Sequence, residues 1–163
     1  MKPAETAAKI LRTIRYATLA TVTPDGKPWN SPVAHVLDAD LNIYWISDKQ
    51  NQHSVNVRAN HTAFIVIYDS TVPEGEGEGV YTEVNVEELS DPAEIARVRR
   101  IKKGDNYVEA PDAFLGDAVR RVYKAVPQKM WVNDAEVTNG VFVRDFRNEV
   151  SVDELKAIIK EGL

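Results

Sequence analysis

Short runs of apolar, β-branched residues separated by tight-turn signals constrain the fold of this chain more than any other feature. Ala17–Thr23 (ATLATVT) has the composition of a strand, and Pro24–Lys27 (PDGK) is a turn signal. Ser31–Leu37 is predicted to be the returning strand. Asp38–Asn42 is the next turn, and Ile43–Ser47 (IYWIS) is a third strand that is apolar on both faces. Because consecutive strands joined by tight turns pair as neighbours, this part of the chain predicts a β-meander.

The later strands are predicted from the same signals. A nearly continuous apolar run, an alternating run and two short late runs predict four strands: Ala63–Tyr68, Val80–Leu89, Lys129–Val132 and Val141–Arg144. Turns are predicted at Asn133-Asp134 and Asn139-Gly140. Pro73–Gly79 (PEGEGEG) is predicted to be a flexible acidic loop. Its glycines lack the spacing of a phosphate-binding loop, so we assign it no phosphate site.

Helices are predicted from apolar spacing and from capping signals. The predicted helical segments are Pro3–Arg15, Gln52–Ala59, Asp91–Lys103, Pro111–Tyr123 and Ser151–Glu161. Asp91 followed by Pro92 is an N-terminal signal, and Gly104 ends that helix. Ser151 and Glu154 have the spacing of a capping box. Four side chains of the fourth segment are predicted to pack inward: Phe114, Leu115, Val119 and Val122.

Six or so mostly antiparallel strands with helices between them indicate a fold of the α+β type that is mainly β. The expected architecture is a meander or Greek-key barrel with flanking helices. The chain has 163 residues, which suits one domain over residues 1–163.

Composition excludes several classes of partner and chemistry. The net charge of −5 argues against nucleic acid, because phosphate backbones require clustered cations. The basic residues within Arg97–Lys103 alternate with Val98 and Ile101, which is typical of the solvated side of a helix. The chain has no cysteine, so disulfides and thiolate chemistry are excluded. No stretch approaches the about 18 apolar residues of a membrane span. We therefore expect a cytoplasmic protein without a membrane partner.

Several common catalytic classes also lack their motifs. The three histidines, His35, His53 and His61, are separated by 18 and 8 residues and form no helical i, i+4 pair. We therefore expect no metal site. No Gly-x-Ser-x-Gly element, Walker motif or dinucleotide-binding glycine pattern is present.

A polar segment directly follows the IYWIS strand. Residues 47–56 (SDKQNQHSVN) present hydroxyls, amides, a lysine and an imidazole at the start of a short predicted helix. Backbone N–H groups at a helix start, together with such side-chain donors, are what a phosphate requires. The same composition also suits a plain polar connection between strands.

The run from Thr18 to Tyr68 resembles the N-terminal half of the pyridoxamine 5′-phosphate oxidase-like family. The matching elements are ATLATVTPDGKPWNSPV, IYWIS and NQHSVNVRANHTAFIVIY. The rest of the chain, with its late Trp and Arg, agrees more loosely. The resemblance implies a split β-barrel that holds FMN at the interface of a homodimer.

The resemblance also implies which residues bind the cofactor. They are Ser31, Pro32, Val33, Ala34, Ile46, Ser47, Asn51, Gln52, His53, Trp131 and Arg147. The second strand would lie along the flavin, with its backbone N–H and C=O groups meeting the polar edge of the ring. The Ser47 hydroxyl would face the phosphate or the ribityl chain. Gln52 and His53 stand at the Arg-Lys positions that grip the phosphate.

The late residues would act from the partner subunit. Trp131 and Arg147 fall near the Trp and Arg that close over the ring in the family, and Tyr81 lies near a ring-facing position. Trp45 and Trp131 also suit a plain role as core aromatics, since buried aromatic side chains mainly contribute area.

The sequence departs from the family pattern at several of these positions. Ser31 stands where many relatives have Arg, and His53 stands where they have Lys, so two permanent positive charges are missing. A dianion beside His53 would raise its pKa and favour imidazolium. Val84 stands where the family often has Gly. Arg144–Arg147 replaces the Arg-x-His-x-Arg signature for substrate phosphate, which argues against a role in vitamin B6 synthesis.

The leading hypothesis from the sequence is an FMN-dependent oxidoreductase that uses a small-molecule substrate and a nicotinamide reductant. The flavin would carry the hydride chemistry, and no side chain stands out as a general acid or base. A deazaflavin-dependent reductase on the same fold is one alternative, although its long anionic tail favours a basic groove and the chain offers little beyond Lys49. A non-catalytic flavin or haem carrier, or a redox sensor, is the other alternative.

Overall fold

The computed structural model describes residues 2–108 and 110–161 of the chain. The helices are α1 (Pro3–Thr13), α2 (Gln52–Asn60), α3 (Pro92–Lys103) and α4 (Val152–Glu161). The strands are β1 (Tyr16–Val22), β2 (Pro28–Leu37), β3 (Ile43–Asp48), β4 (Thr62–Tyr68), β5 (Gly79–Glu88), β6 (Arg120–Thr138) and β7 (Val141–Val150). Two short 3₁₀ turns, Gly104–Asn106 and Pro111–Phe114, lie between α3 and β6.

Six of the strands close into an antiparallel barrel. The sheet order is β3-β2-β1-β4-β5-β6-β7, and an additional pairing of β3 with β6 closes the ring. Strand β6 serves three neighbours along its length. Residues Arg120–Ala125 pair with β3, residues Tyr123–Val132 pair with β5, and residues Met130–Thr138 pair with β7 in a long hairpin. The mainly β barrel expected from the sequence is therefore confirmed.

Alternating residues of the strands fill the barrel. Leu19, Ile65 and Val80 are fully buried, and the rings of Trp45 and Tyr123 stack with their centroids 5.4 Å apart. Helix α1 contributes a buried apolar stripe to the same cluster, with α4 packed beside it. Burial of this apolar surface is the main source of stability for such a fold.

A second, smaller core lies outside the barrel, under α3. Ile95 and Val98 of this helix pack on Tyr44 of β3 and Val122 of β6. Asp91 caps the helix by accepting a hydrogen bond from the N–H of Ala93 at 3.0 Å, as its position before Pro92 predicts. Four basic residues of α3 lie at exposed positions: Arg97, Arg100, Lys102 and Lys103.

Two sequence-based expectations about the late part of the chain are wrong. The helix predicted over Pro111–Tyr123 is only the 3₁₀ turn Pro111–Phe114, and β6 begins at Arg120. Phe114 and Val122 are buried as expected, but Val119 is exposed. The turn predicted at Asn133-Asp134 is absent, because β6 continues through it to the hairpin turn at Asn139-Gly140. At Arg120 pairing with the distant strand β3 overrides the local signal, and at Asn133-Asp134 pairing with β7 of the same hairpin does so.

The remaining predicted elements are present, with shifted ends. Helix α1 ends at Thr13 rather than Arg15, and β2 begins at Pro28 rather than Ser31. The N–H of Glu154 donates to the hydroxyl of Ser151 at 3.3 Å, which is one half of the predicted capping box. None of the helices in the described ranges is long and apolar enough to cross a bilayer.

Candidate functional site

Strands β2 and β3 part at the residues that the sequence assigns to the cofactor. Their pairing runs from Leu37–Ile43 to His35–Trp45 and stops there. Ser31–Ala34 and Ile46–Ser47 lie just beyond the last pair. Beyond this point β2 is paired only with β1, and β3 is paired only with β6. The barrel is therefore split beside the predicted site.

The split exposes one side of the β2 backbone. The N–H of His35 donates to the carbonyl of Arg15 at 3.2 Å, so this pair is hydrogen-bonded within the β1–β2 register. Because antiparallel pairs alternate, the backbone groups of Ser31 and Val33 also point to β1. Those of Asn30 and Pro32 point to the open side. Pro32 has no N–H to leave unpaired, which suits a strand edge.

The side chains of these β2 residues point alternately to the inside and to the outside of the barrel. Val33 belongs to the barrel core and is only 6% exposed, so its side chain is not available to a ligand. Ser31 lies opposite the buried Leu19 and shares the inner face. Pro32 and Ala34 point outward, beside Thr18 and Tyr16 of β1. Of the four predicted β2 residues, Pro32 and Ala34 are the two that present side chains on the outer face.

Ser47 and His53 form a buried pair where β3 passes into α2. The Ser47 Oγ atom lies 2.6 Å from the His53 Nε2 atom, and the amide of Asn51 donates to Ser47 at 3.2 Å. Ser47 is 9% exposed and His53 is 6% exposed. Burial lowers the pKa of His53, because the imidazolium form loses its hydration. His53 is therefore a neutral partner of the Ser47 hydroxyl rather than an exposed cation.

The N-terminus of α2 presents backbone donors next to this pair. The first helical bond runs from the N–H of Val55 to the carbonyl of Asn51 at 3.0 Å. The N–H groups of residues 52–54 precede it and have no acceptor within the helix. The Asn51 side chain does not cap them, and the first turn contains no acidic residue. This end of α2 therefore favours a negative charge.

A chain of neutral hydrogen bonds fixes α2 against the β1–β2 hairpin. The amide of Gln52 donates to Asn56 at 2.8 Å, and the amide of Asn56 donates to Thr21 at 2.9 Å. The Thr21 hydroxyl donates to the carbonyl of Trp29 at 3.3 Å. The side-chain amide of Gln52 is thus already hydrogen-bonded within the protein, whereas Asn51 is exposed. The sequence did not single out Asn56 or Thr21, which position this helix.

The cations near this end of the barrel are already engaged. Arg58 pairs with Glu88 at 3.2 Å and also donates to the carbonyl of Lys49 at 2.6 Å. Lys49 donates to the carbonyl of Asp117 at 3.4 Å. Any anion at the start of α2 would therefore meet mainly neutral donors.

Trp131 and Arg147 lie on the outer face of the sheet, in a cluster with two further aromatic residues. Trp131 stacks on Phe64 with centroids 6.3 Å apart. The guanidinium of Arg147 lies 3.9 Å from the centroid of the Tyr81 ring and 5.9 Å from that of Phe64. We call Phe64, Tyr81, Trp131 and Arg147 the aromatic cluster. Phe64 is the member of this cluster that the sequence analysis did not single out. The signal for Phe64 is the alternation within AFIVIY. Because Ile65 and Ile67 face the core, Phe64 points to the outer face.

Within one chain, Trp131 of the aromatic cluster is far from the β2 edge when followed across the sheet. Pro32 lies opposite Thr18, and Thr18 lies opposite Val66. Val66 lies opposite Tyr81, which lies opposite Trp131. Pro32 and Trp131 are thus in one row but four strands apart, which is about 19 Å when followed along the curved sheet at the usual spacing. In the other direction around the barrel, β3 meets β6 only at Arg120–Ala125. One subunit therefore contains two separated halves of the predicted site.

No group of three or more His, Asp or Glu side chains within the described ranges is arranged to hold a metal ion. The three histidines are dispersed. His35 lies in β2 and His53 lies near the start of α2, while His61 follows the last residue of α2. At the split the structure places backbone groups, a hydroxyl and amides that can form hydrogen bonds.

A split barrel with a helix N-terminus at the opening defines the class of fold, and comparison with known proteins identifies the family. The model of the pyridoxamine 5′-phosphate oxidase family matches residues 3–133. The chain therefore belongs to this family, and the resemblance seen in the sequence is confirmed. No curated protein sequence matches the chain.

Solved structures share the fold at low sequence identity. A heme binding protein from Mycobacterium smegmatis is 20% identical with a TM-score of 0.69; the alignment covers 94% of this chain and 60% of that protein. A putative pyridoxamine 5′-phosphate oxidase from Listeria innocua is 18% identical with a TM-score of 0.63, over 79% of this chain and 96% of that protein. An F420 reductase is 22% identical with a TM-score of 0.54, over 75% and 93%.

Proposed function

We propose that the protein binds FMN in the split between β2 and β3 and acts as an FMN-dependent oxidoreductase on a small-molecule substrate. The observation that carries this proposal is the open β2 edge beside the unoccupied N–H groups of α2. An anion and a polar ring edge are the two features that such an opening can recognise together.

The phosphate would lie at the start of α2. The first-turn N–H groups and Asn51 would donate to its oxygens, and the positive end of the helix dipole would favour its charge. The buried His53 would act behind these donors by holding the Ser47 hydroxyl in place. These donors replace the two positive charges that Arg at position 31 and Lys at position 53 would have supplied to the phosphate. We therefore expect FMN to bind through neutral donors and the helix end.

The ring would lie against the outer face of β2. Its polar edge would meet the backbone groups of Asn30 and Pro32 that have no neighbouring strand. FMN supplies hydride transfer when bound. The protein's own contribution is to orient the ring, to bond its polar edge and to exclude water from one face. The Ser47–His53 pair is buried, and its proposed role is to hold the first turn of α2 in place rather than to transfer a proton.

A second copy of the chain would complete the site. Three strands, β1, β4 and β5, lie between Pro32 and Trp131 on the outer face of one subunit. The outer face also exposes large apolar side chains, including Tyr16, Val22 and Tyr68. Apolar surface of this kind is typical of protein interfaces. In a homodimer joined through this face, the aromatic cluster of one subunit would cover the ring bound to the other.

Two other cofactors suit the same fold. The similarity to a heme binding protein supports a haem carrier, and the similarity to an F420 reductase supports a deazaflavin reductase. The residues at the split favour FMN over both. Haem requires an accessible ligand, and His53 at the split is buried. A deazaflavin has a long anionic tail, and the cations Lys49 and Arg58 are already bonded within the protein.

The chromophore that copurifies with the protein tests the proposal. We expect a yellow protein with flavin absorbance, release of a molecule with the mass of FMN, and reduction of the flavin by NADH or NADPH. A Soret band would identify haem, and a deazaflavin mass would identify the other alternative. A colourless protein that fails to bind added FMN at micromolar concentration would refute the proposal. Bound FMN that no reductant reduces would indicate a carrier.

A further inference from the structure

A second cleft lies at the other end of β1, between the C-terminal end of α1, the end of β2, α3 and α4. Its volume is about 400 Å³. Leu11, Ile14, Ile101 and Ile159 form much of its apolar lining. Thr21 and Val22, which contact α2, are at the opposite end of the same strand. None of the residues that line this cleft is proposed to contact FMN, so an inference about the cleft does not depend on that proposal.

His35 is the notable polar residue of this cleft. It is 8% exposed, and its Nδ1 atom is buried without a hydrogen-bond partner in the described structure. Burial lowers its pKa to about 4; a hydrogen bond with the Arg15 backbone opposes this shift, and the positive charge of Lys102 adds to it. A buried polar atom without a partner carries a free-energy cost.

The charges around the cleft are predominantly positive. Arg12 and Arg15 lie in its lining, and Lys102 of α3 lies close enough to Arg15 and Arg99 for their charges to lower its pKa, although burial is the larger cause. The acid in the lining is Asp38, whose carboxylate accepts hydrogen bonds from Tyr44 at 2.8 Å and from Arg97 at 3.3 Å. Asp38 is thus satisfied from its other side.

The two arginines differ in availability. One Nη atom of Arg12 donates to the carbonyls of Ile158 and Ile159 at 2.8 and 3.1 Å, and so ties α1 to α4. The Arg15 side chain is exposed and makes no hydrogen bond or ion pair that the described residues show. A single planar guanidinium with free N–H groups matches the two oxygens of a carboxylate.

We infer that this cleft binds a small carboxylic acid with an apolar body. The apolar part lies on the isoleucine and leucine side chains, and the carboxylate faces Arg15, near His35. An alcohol of the same length lacks the charge that Arg15 recognises. The specificity of the cleft is therefore for an organic monoanion rather than for apolar molecules in general.

Titration with hexanoate tests this inference, with 1-hexanol as the neutral control. We expect hexanoate to shift the NMR signals of the Ile14, Ile101 and Ile159 methyl groups. We expect 1-hexanol to bind at least about tenfold more weakly, as a charge-assisted hydrogen bond implies. Isothermal titration provides the dissociation constants.

Two charge-removing variants make the test specific. Arg15→Gln removes an exposed side chain of the lining, so the fold is expected to survive, and hexanoate affinity is expected to fall about tenfold. Lys9→Gln removes an exposed charge from the same helix outside the lining, and affinity is expected to stay within about twofold of wild type. Equal binding of 1-hexanol, shifts confined to other methyl groups, or equal effects of the two variants would overturn the inference.

Discussion

The Oγ atom of Ser47 lies 2.6 Å from the Nε2 atom of His53, and both side chains are buried where β3 passes into α2. The pair joins the end of a strand to the first turn of a helix, and Asn51 bonds to the same hydroxyl. This contact fixes the orientation of the α2 N–H groups relative to the split between β2 and β3. It links the fold of the barrel to the proposed phosphate position.

Replacing Ser47 with Ala is expected to reduce both stability and FMN affinity. The change leaves the buried Nε2 atom of His53 without its partner, so the free energy of unfolding should fall by about 1–3 kcal/mol. The dissociation constant of FMN should rise about threefold to tenfold, because the first turn of α2 loses its anchor. Urea denaturation and fluorescence titration measure the two quantities. Ser90→Ala, at an exposed position, is the control and should change neither. Unchanged FMN affinity in Ser47→Ala would place the phosphate elsewhere.

Mixing two defective variants tests whether each site is shared between subunits. Ser47→Ala and Arg147→Ala should each bind FMN poorly as homodimers. After unfolding and refolding together at equal amounts, half of the dimers are mixed, and each mixed dimer has one intact site if the site is shared. Full-affinity sites should therefore return to about a quarter of the wild-type number. Arg144→Ala, on the same hairpin but paired with Glu136, is the control and should bind normally alone. No recovery on mixing would contradict a shared site.

Stability is expected to fall as the pH drops from about 6.5 to about 4. The unfolded chain binds a proton at His35 near pH 6.5, whereas burial keeps the folded His35 neutral until about pH 4. In this range the unfolded state binds more protons, so lower pH favours unfolding, by about 3 kcal/mol in total for this residue. The lowered pKa of the buried His53 acts in the same direction.

The pH dependence can be assigned with two variants. His35→Gln should flatten the plot of unfolding free energy against pH between 6.5 and 4, as measured by urea denaturation. His61→Gln, which removes an exposed imidazole, should leave the slope of the wild type. If the curves of His35→Gln and wild type run parallel, His35 is not the residue responsible.

Asp38→Ala is expected to destabilise the fold more than Arg97→Ala. Asp38 is buried and accepts hydrogen bonds from Tyr44 and Asn42 as well as from Arg97. Removing its carboxylate leaves the buried Tyr44 hydroxyl without this acceptor, and a loss of about 2–4 kcal/mol is expected. Arg97 is half-exposed, so its removal should cost about 1 kcal/mol or less. Thermal and urea unfolding distinguish the two. A larger effect of Arg97→Ala would mean that the ion pair, rather than the Tyr44–Asp38 contact, holds α3 on the barrel.

Much of the fold follows from local signals in the sequence. The hairpin around Pro24–Lys27, the strand Ile43–Ser47 and the capped helix after Asp91 are each specified by residues close together in the chain. The late segment is different. Pro111–Tyr123 carries apolar residues at helical spacing, yet Arg120 onward is a strand. Val122 and Tyr123 are buried where this strand pairs with β3 and β5, which no local pattern reveals.

The candidate site divides in the same way. The polar run after IYWIS already predicts donors at the start of a helix, and the residues are those of α2. Which of them are free depends on three-dimensional neighbours. His53 is buried against Ser47, Gln52 is bonded to Asn56, and Val33 faces the core. The sequence assigned His53, Gln52 and Val33 alike to the cofactor, because it does not distinguish exposed groups from buried ones.

By itself, the sequence determined the family, the order of most strands and helices, and the polar segment at the end of β3. These depend on residues near one another in the chain, whose conformational preferences act locally. Only the tertiary structure decided that β2 and β3 part beyond His35 and Trp45, that β6 runs unbroken from Arg120 to Thr138, and that Pro32 and Trp131 lie four strands apart. Closing a barrel requires strands far apart in sequence to share one register, and that register sets which backbone groups and side chains remain open to a ligand.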